Sequence, residues 1–352
     1  MNIVVLGGGQ QGRVIAADLA RALPEARVDV ADVREPRLPA AGNLRWVEAD
    51  GSDPGALARL VSGYDLAVGA LPSRFGFGAM RAAIEAKRPL VDVSFSAESP
   101  LALDAEARAA GVAIVPDCGV APGLSHLAAG HAATQGAIAE LIMDVGGVAQ
   151  DASRPYGYVV TWSLDDLLEE YRRPARFVRD GQPVTIPVLS VVERVQVDGV
   201  GEMEAFPSDG LRTALETFAG VPNMCERTLR WPGHVELVKP LVESGRFVAE
   251  FRDRCVVDEP RDLLALVVRV RWQDGRRERM TLVDRWDDAT KQTAMARTTA
   301  LTTAVTAQLL ARGGAREPGV HPLEHVGRDE AAYRFIVEQL AARGVRMHWR
   351  EE

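Results

Sequence analysis

A chain of 352 residues exceeds the size at which one hydrophobic core usually stays undivided, so two domains are expected. With 47% apolar and 26% charged residues, the composition is that of a folded globular protein and excludes a disordered majority. A formal net charge of −8 without a long Lys/Arg run argues against a nucleic-acid partner.

Three widely spaced cysteines, Cys118, Cys225 and Cys255, suit neither a disulfide framework nor a metal cluster, so no metal site is expected. The N-terminus enters a strand-like run without a basic preface, and no apolar stretch approaches the length of a membrane span. A cytoplasmic location without export or insertion is therefore expected.

Over the first 120 or so residues, short apolar runs alternate with helix-patterned segments, the pattern of βαβ units in a doubly wound parallel sheet. Strands are expected at Ile3–Leu6, Val28–Ala31, Leu44–Val47, Leu66–Val68, Leu90–Val93 and Val112–Val115. The first strand runs into Gly7-Gly8-Gly9-Gln10-Gln11-Gly12 and then a helical pattern. That order is the fingerprint of a dinucleotide-binding Rossmann unit: Gly7 for the tight turn, Gly9 for backbone approach to a pyrophosphate, Gly12 for close packing of helix on strand. Gln10 and Gln11 open the helix whose amides would face the phosphates.

Asp32 lies 20 residues beyond Gly12 at the end of the second strand, where a carboxylate can accept from the ribose hydroxyls and repel a 2′-phosphate. NAD is accordingly expected over NADP, although Arg34 offers a positive charge close by. Asp50 is a secondary candidate facing the adenine, with a loop or helix-cap role as the alternative. Ala70, Leu71 and Pro72 follow the fourth strand, at the edge where open α/β sheets bind ligands, and are candidates for the nicotinamide side.

Asp92 and Asp117 end the fifth and sixth strands and are candidates for proton transfer, with surface or capping roles as the plainer reading. Cys118 reads as packing rather than as a nucleophile. The texture changes at Pro122-Gly123. We expect residues 1–122, completed by 315–352, to form the nucleotide domain, and 123–314 an α+β domain for substrate binding and oligomerisation with antiparallel strands near Val191–Val197 and Leu264–Val270.

Within that second region Pro155–Ser163 reads as a strand carrying Tyr156 and Trp162, with Ser163 capping the helix that follows. Arg212, in a polar glycine-containing turn, could offer a fork to a substrate carboxylate or merely make a structural ion pair. His234 follows the rigid Trp231-Pro232-Gly233 turn and could exchange protons, or simply cap a helix. Helices are further expected over Asp287–Arg312 and Arg328–Gly344.

These motifs together resemble the saccharopine dehydrogenase-like family, and within it most closely the lysine 6-dehydrogenases. The carriers are Gly7–Gly12, Gly69-Ala70-Leu71-Pro72, Val91–Phe95, Ala121–Ser125, Thr161-Trp162-Ser163, Asp209–Arg212 and Thr228–His234, spread over most of the chain. The resemblance implies a Rossmann domain, a homo-oligomer (dimer or tetramer), and NAD-dependent oxidative deamination of the lysine side chain to an aldehyde that cyclises to a piperideine carboxylate, with release of ammonia. It places Asp92, Asp117, Trp162, Arg212 and His234 around the substrate, with Asp117 or His234 as proton acceptor and Arg212 on the α-carboxylate; Tyr156, outside those motifs, is a substrate-wall candidate from its position near Trp162 alone, with a core role as the commoner reading. The alternatives are a saccharopine-type secondary-amine dehydrogenase, with Arg172, Arg173 or Arg176 meeting extra carboxylates, and an NAD(H)-binding redox sensor without turnover.

Overall fold

The computed structural model describes every residue from Met1 to Glu352 and divides into two compact units. The first comprises Met1–His131 and Thr298–Gly344, the second Ala132–Arg297 and Val345–Glu352. The division differs from the boundaries read in the sequence. The first unit runs past residue 122 through the helix Leu124–Ala133 and resumes at Thr298 rather than 315, while the last eight residues pair with the second unit.

In the first unit, β1 (Asn2–Leu6), β2 (Arg27–Asp32), β3 (Leu44–Glu48), β4 (Leu66–Gly69), β5 (Leu90–Asp92) and β6 (Ala113–Val115) fall within two residues of the expected positions. With the two-residue strand Gly319–Val320 at one edge they form a seven-stranded sheet, β6-β5-β4-β1-β2-β3, in which every pairing is parallel. Runs such as Ile3-Val4-Val5-Leu6 are buried throughout, as a parallel sheet covered on both faces requires. The chain crosses from β3 over to β4 on the far side of β1, which creates the switch point where such sheets open a crevice beyond their strand ends.

The connecting helices begin and end where local chemistry dictates. Asp53 caps Pro54–Ser62 by accepting from the amides of Gly55 and Ala56, and Gly111, in the left-handed region at φ 74°, ends Asp104–Ala110. The C-terminal helices are tied to the helix Gln10–Ala22 by buried Asp18, whose carboxylate accepts from Arg343 Nε at 2.8 Å and Gln308 Nε2 at 2.9 Å.

The second unit is built on a mixed sheet. Its long central pair is β7 (Ile138–Ala149) and, labelled in chain order after β8 (Ala175–Arg179), β9 (Gln182–Ile186), β10 (Glu193–Val197), β11 (Gly201–Ser208) and β12 (Met224–Arg230), β13 (Asp262–Trp272). Next to β13 lies β14 (Arg277–Arg285), and the terminal strand His348–Glu351 closes that side. All pairings are antiparallel except β7 with β12. The turn between β10 and β11 reaches β14, where Arg279 pairs with Asp198 at 3.3 Å and Arg285 donates to the Gly199 carbonyl at 2.8 Å. The sheet thus curls over an apolar cluster of Val148, Val195, Met203, Leu229, Leu263 and Val267. Its other side carries an aromatic cluster with Tyr158, Tyr171, Phe206, Phe247 and Phe251.

Pro155–Ser163 is not a strand. Pro155–Gly157 forms a single 3-10 turn with Tyr156 at φ 58°, and the residues up to Ser163 are irregular. Tyr156 and Tyr158 pack on Phe251, and Val160 and Trp162 join the same aromatic cluster, so this stretch is held by packing rather than by a ladder.

Candidate active site

Beyond β1 the backbone turns at Gly7, whose φ of 103° is left-handed; a Cβ there would lie 2.5 Å from the Ala70 carbonyl oxygen. A Cβ at Gly12 would lie 1.9 Å from the Gly7 carbonyl oxygen, so the helix can start against the strand only with glycine at that position. Gly9 is different. Nothing lies within 4 Å of where its Cβ would stand, and the residue is exposed, so no protein contact explains its lack of a side chain. The helix Gln10–Ala22 begins there without a side-chain cap, and exposed Gln10 and half-buried Gln11 open its first turn. Uncapped amides at a helix N-terminus beside open space fit a pyrophosphate.

Asp32 ends β2 and accepts from the Gly8 amide at 2.7 Å and the Arg34 amide at 3.0 Å, which fixes its carboxylate at the mouth of the loop. Ala70, Leu71 and Pro72 follow β4, with the Ala70 amide bonded to the Leu6 carbonyl at 2.8 Å, so this loop adjoins the glycine turn. Asp50 is exposed and accepts from the Ser52 amide at 2.8 Å, which holds its carboxyl below the usual carboxylate range; the helix cap nearby is Asp53 instead.

One strand beyond β4, Asp92 is fully buried. Its Oδ1 accepts from the Ser94 amide at 2.7 Å and from the Ser94 hydroxyl, while Oδ2 is enclosed without a hydrogen-bond partner. Burial, reinforced by the charge of Asp117 and opposed by the Ser94 bonds, raises Asp92 to about 7. Asp117 follows β6, buried, with a left-handed φ of 50°. Its neighbour Cys118 donates its amide to the Asp92 carbonyl at 2.8 Å, and burial pushes its thiol up to about 12, consistent with packing.

The second unit gathers a buried polar group on one face of β11 and β12. Glu204 accepts from the Gly233 and Val235 amides at 2.8 and 2.6 Å, fixing the start of the helix His234–Glu243. His234 Nδ1 lies 2.7 Å from the Tyr156 carbonyl oxygen and Nε2 2.7 Å from the Tyr171 hydroxyl. Arg230 donates to that hydroxyl through Nε at 2.9 Å and to Glu170 through Nη2 at 2.9 Å, with its guanidinium 5.2 Å from the Tyr158 ring. Trp162 is half-buried and donates to the Tyr158 hydroxyl at 3.1 Å; the Tyr156 hydroxyl donates to Glu250 at 2.8 Å. Arg212 is buried on the loop after β11 with a left-handed φ of 48°.

Residues 3–115 match the family model of the saccharopine dehydrogenase NADP-binding domain, and residues 119–345 that of the saccharopine dehydrogenase C-terminal domain. The chain belongs to the saccharopine dehydrogenase family. A saccharopine dehydrogenase [NADP(+), L-glutamate-forming] of Pyricularia oryzae is 28% identical over 56% of this chain and 47% of its own length. Its namesake in Saccharomyces cerevisiae is 24% identical over 69% of this chain and 58% of its own, so the chain spans about half the length of the curated relatives it matches. The fold is shared with apo saccharopine dehydrogenase (L-Glu forming) of S. cerevisiae, at a TM-score of 0.76, 18% identity and coverage of 100% and 99% of the two chains. It is also shared with a Legionella pneumophila homospermidine synthase in complex with NAD, at a TM-score of 0.73, 12% identity and coverage of 100% and 91%.

Membership in this oxidoreductase family and the geometry of the glycine turn agree on a nicotinamide dinucleotide as cofactor in the first unit. Among the sequence-predicted site residues of the second unit, Tyr156, Trp162 and His234 fall into one connected cluster. His234 is not placed as a proton acceptor. Both ring nitrogens are engaged, and burial beside the Arg230 charge lowers it to about 3, so it is neutral and spent on structure at physiological pH. Arg230, Tyr171, Glu170 and Glu226 were not singled out by sequence reasoning. The signal for two of them was the alternation Glu226-Thr228-Arg230 along β12, which on sequence alone reads as a solvated strand face and in the structure is buried.

Proposed function

We propose that the protein is an NAD-dependent oxidoreductase that oxidises the side-chain amine of an amino acid of the lysine class, L-lysine first, giving an aldehyde and ammonia. The observation that carries this reading is the Asp92 carboxyl, which ends the strand beside β4 in the same unit as the glycine turn and keeps one oxygen without a partner near neutral pKa. An amine must lose its proton before a hydride can leave the adjacent carbon, and a carboxyl poised near 7 takes and returns a proton at physiological pH. NAD would accept the hydride to leave an imine, and water would then add to the imine carbon and expel ammonia to give the aldehyde. Asp117 raises the proton affinity of Asp92 by its charge, the Ala70–Pro72 loop lines the cofactor side, and Arg212, Trp162 and Tyr156 would orient the substrate.

Asp32 supports NAD, because its anchored carboxylate stands where a 2′-phosphate would be repelled. The names of the curated relatives favour a second reading, oxidation of saccharopine with NADP. Against it, Arg176, a candidate for the extra carboxylates, is held by Asp209 through two bonds of 2.8 and 3.0 Å. A homo-oligomer working in the cytoplasm completes the proposal.

Purified protein mixed with NAD or NADP and with lysine, saccharopine or other ω-amines tests it through the appearance of reduced nucleotide at 340 nm. Reduction of NAD by lysine supports the proposal, preference for saccharopine moves it to the second reading, and no reduction with any amine leaves a nucleotide-binding sensor.

A further inference from the structure

The backbone of Asp92 is held from both neighbouring strands. Asp92 pairs with Gly69 in the parallel register of β4 and β5, the Val93 amide donates to the Gly69 carbonyl at 3.1 Å, and the Asp92 carbonyl accepts from the Cys118 amide at 2.8 Å. The two oxygens of the side chain then meet different surroundings. Oδ1 accepts from both the amide and the hydroxyl of buried Ser94. Oδ2 rests against Gly69, where a Cβ would lie 1.7 Å from it, and has no hydrogen-bond partner in the protein.

The Ser94 hydroxyl has room for its bond because of Gly76, on the helix Ser73–Glu85. A Cβ there would lie 1.7 Å from Ser94 Oγ and 3.5 Å from Asp92 Oδ1. Glycine weakens a helix interior, and buried Gly76 has no left-handed φ that calls for it, so the space it leaves for the hydroxyl is what explains it. The groups facing Asp92 are Asp117, whose charge opposes ionisation, and the Cys118 thiol, which burial pushes up to about 12 and keeps neutral. From β4 and the helix come Gly69 and Gly76, without side chains. Against burial and Asp117, the ionised carboxyl is favoured by two bonds, both from Ser94.

We propose that Ser94 is the positioning residue of the proton transfer: its amide and hydroxyl hold Oδ1 of Asp92 and leave Oδ2 as the oxygen that takes the proton from the substrate amine. In that step an N–H bond of the ammonium breaks, an O–H bond forms at Oδ2, and the electron pair stays on nitrogen. Two donors on Oδ1 stabilise the carboxylate before the transfer and keep the new proton off that oxygen after it. The inference rests on the amine oxidation proposed above and adds which residue makes Asp92 able to serve it.

Ser94→Ala removes the hydroxyl and keeps the amide, and loss of a hydrogen bond to a charged group should raise Asp92 from about 7 by about 1 to 2 pH units. Urea unfolding of the full chain across pH reads this without turnover. The stability gained when Asp92→Asn is added to Ser94→Ala should climb until about pH 8 to 9, whereas the gain from Asp92→Asn in the parent stops near pH 7. The rising limb of kcat/KM with lysine should move upward by the same amount. A serine that merely packs would lower stability or activity and leave both pH values in place, and that result overturns the proposal. If Ser94→Ala does not fold, Ser94→Cys, a weaker donor of similar size, decides by whether the same upward shift occurs. An unfolding shift without a shift of the kinetic limb takes Asp92 out of the proton transfer and overturns the positioning role with it. An unfolding shift in a protein whose parent oxidises no amine sinks the proposed reaction alone, and oxidation of lysine with neither value moved sinks the role of Ser94 alone.

Discussion

The Tyr171 hydroxyl lies 2.7 Å from Nε2 of His234, and the opposite ring nitrogen lies 2.7 Å from a carbonyl oxygen. A carbonyl only accepts, so Nδ1 carries the proton, Nε2 accepts from the tyrosine, and the tyrosine oxygen in turn accepts from Arg230 Nε. The chain of bonds leaves His234 no lone pair for chemistry and makes it a support for the Arg230 side chain.

Tyr171→Phe removes the central link and leaves His234 Nε2 and Arg230 Nε buried without it. Each orphaned group should cost about 1–3 kcal/mol, read from the denaturant midpoint at an unchanged slope. His234→Gln, by contrast, should keep kcat/KM within about tenfold of the parent, because removal of a true general base costs about 10²–10⁴-fold. A loss of that size in a protein of parental stability would return His234 to the chemistry.

Two glycines of one turn should behave oppositely. Alanine at Gly12 collides with the Gly7 carbonyl, so it should lower stability by about 1–3 kcal/mol along with nucleotide affinity. Alanine at Gly9 meets no protein atom, so melting should stay at the parental value or rise slightly while NADH affinity, followed by fluorescence, falls by tenfold or more. Equal NADH binding by the Gly9→Ala protein would place the pyrophosphate elsewhere.

Asp32 bears on nucleotide choice through charge. Asp32→Asn keeps an acceptor for the ribose and the Gly8 amide but removes the repulsion of a 2′-phosphate, so the NAD-to-NADP ratio of kcat/KM should fall by about tenfold or more. An unchanged ratio would mean that Arg34 or another cation governs the choice.

Much of the first unit was legible because its information is local. The strand runs Ile3–Leu6 and Leu66–Val68 are apolar on both faces, and the glycine turn and Asp32 occur at fixed offsets from a strand end. The second unit was less legible because its site arises from tertiary burial. Nothing near Arg230 in sequence announces that Glu170, sixty residues earlier, will neutralise it, and Pro155–Ser163 has strand-like composition without a partner strand. His234 was found through its rigid turn, yet its role follows from Tyr171 and Tyr156, which no spacing rule connects to it.

Asp92 offers a pH signature that separates its ionisation from its packing. Its carboxyl is raised from 3.8 to about 7, so between those values the folded protein holds a proton that the unfolded chain has released. Folding therefore loses stability from this group as pH rises, by about 1.4 kcal/mol per pH unit, fully expressed once pH passes about 7. Asp92→Asn lacks the term. Its stability relative to the parent should be level below about pH 4, climb at that slope to about pH 7, and level off again, as read from urea unfolding across pH. In the same variant the limb of kcat/KM with an apparent pKa near 7 should disappear together with most of the activity, since the amide cannot take a proton from the substrate amine. A relative stability that is flat with pH would place the Asp92 pKa in the ordinary carboxylate range and remove the basis for its role in proton transfer.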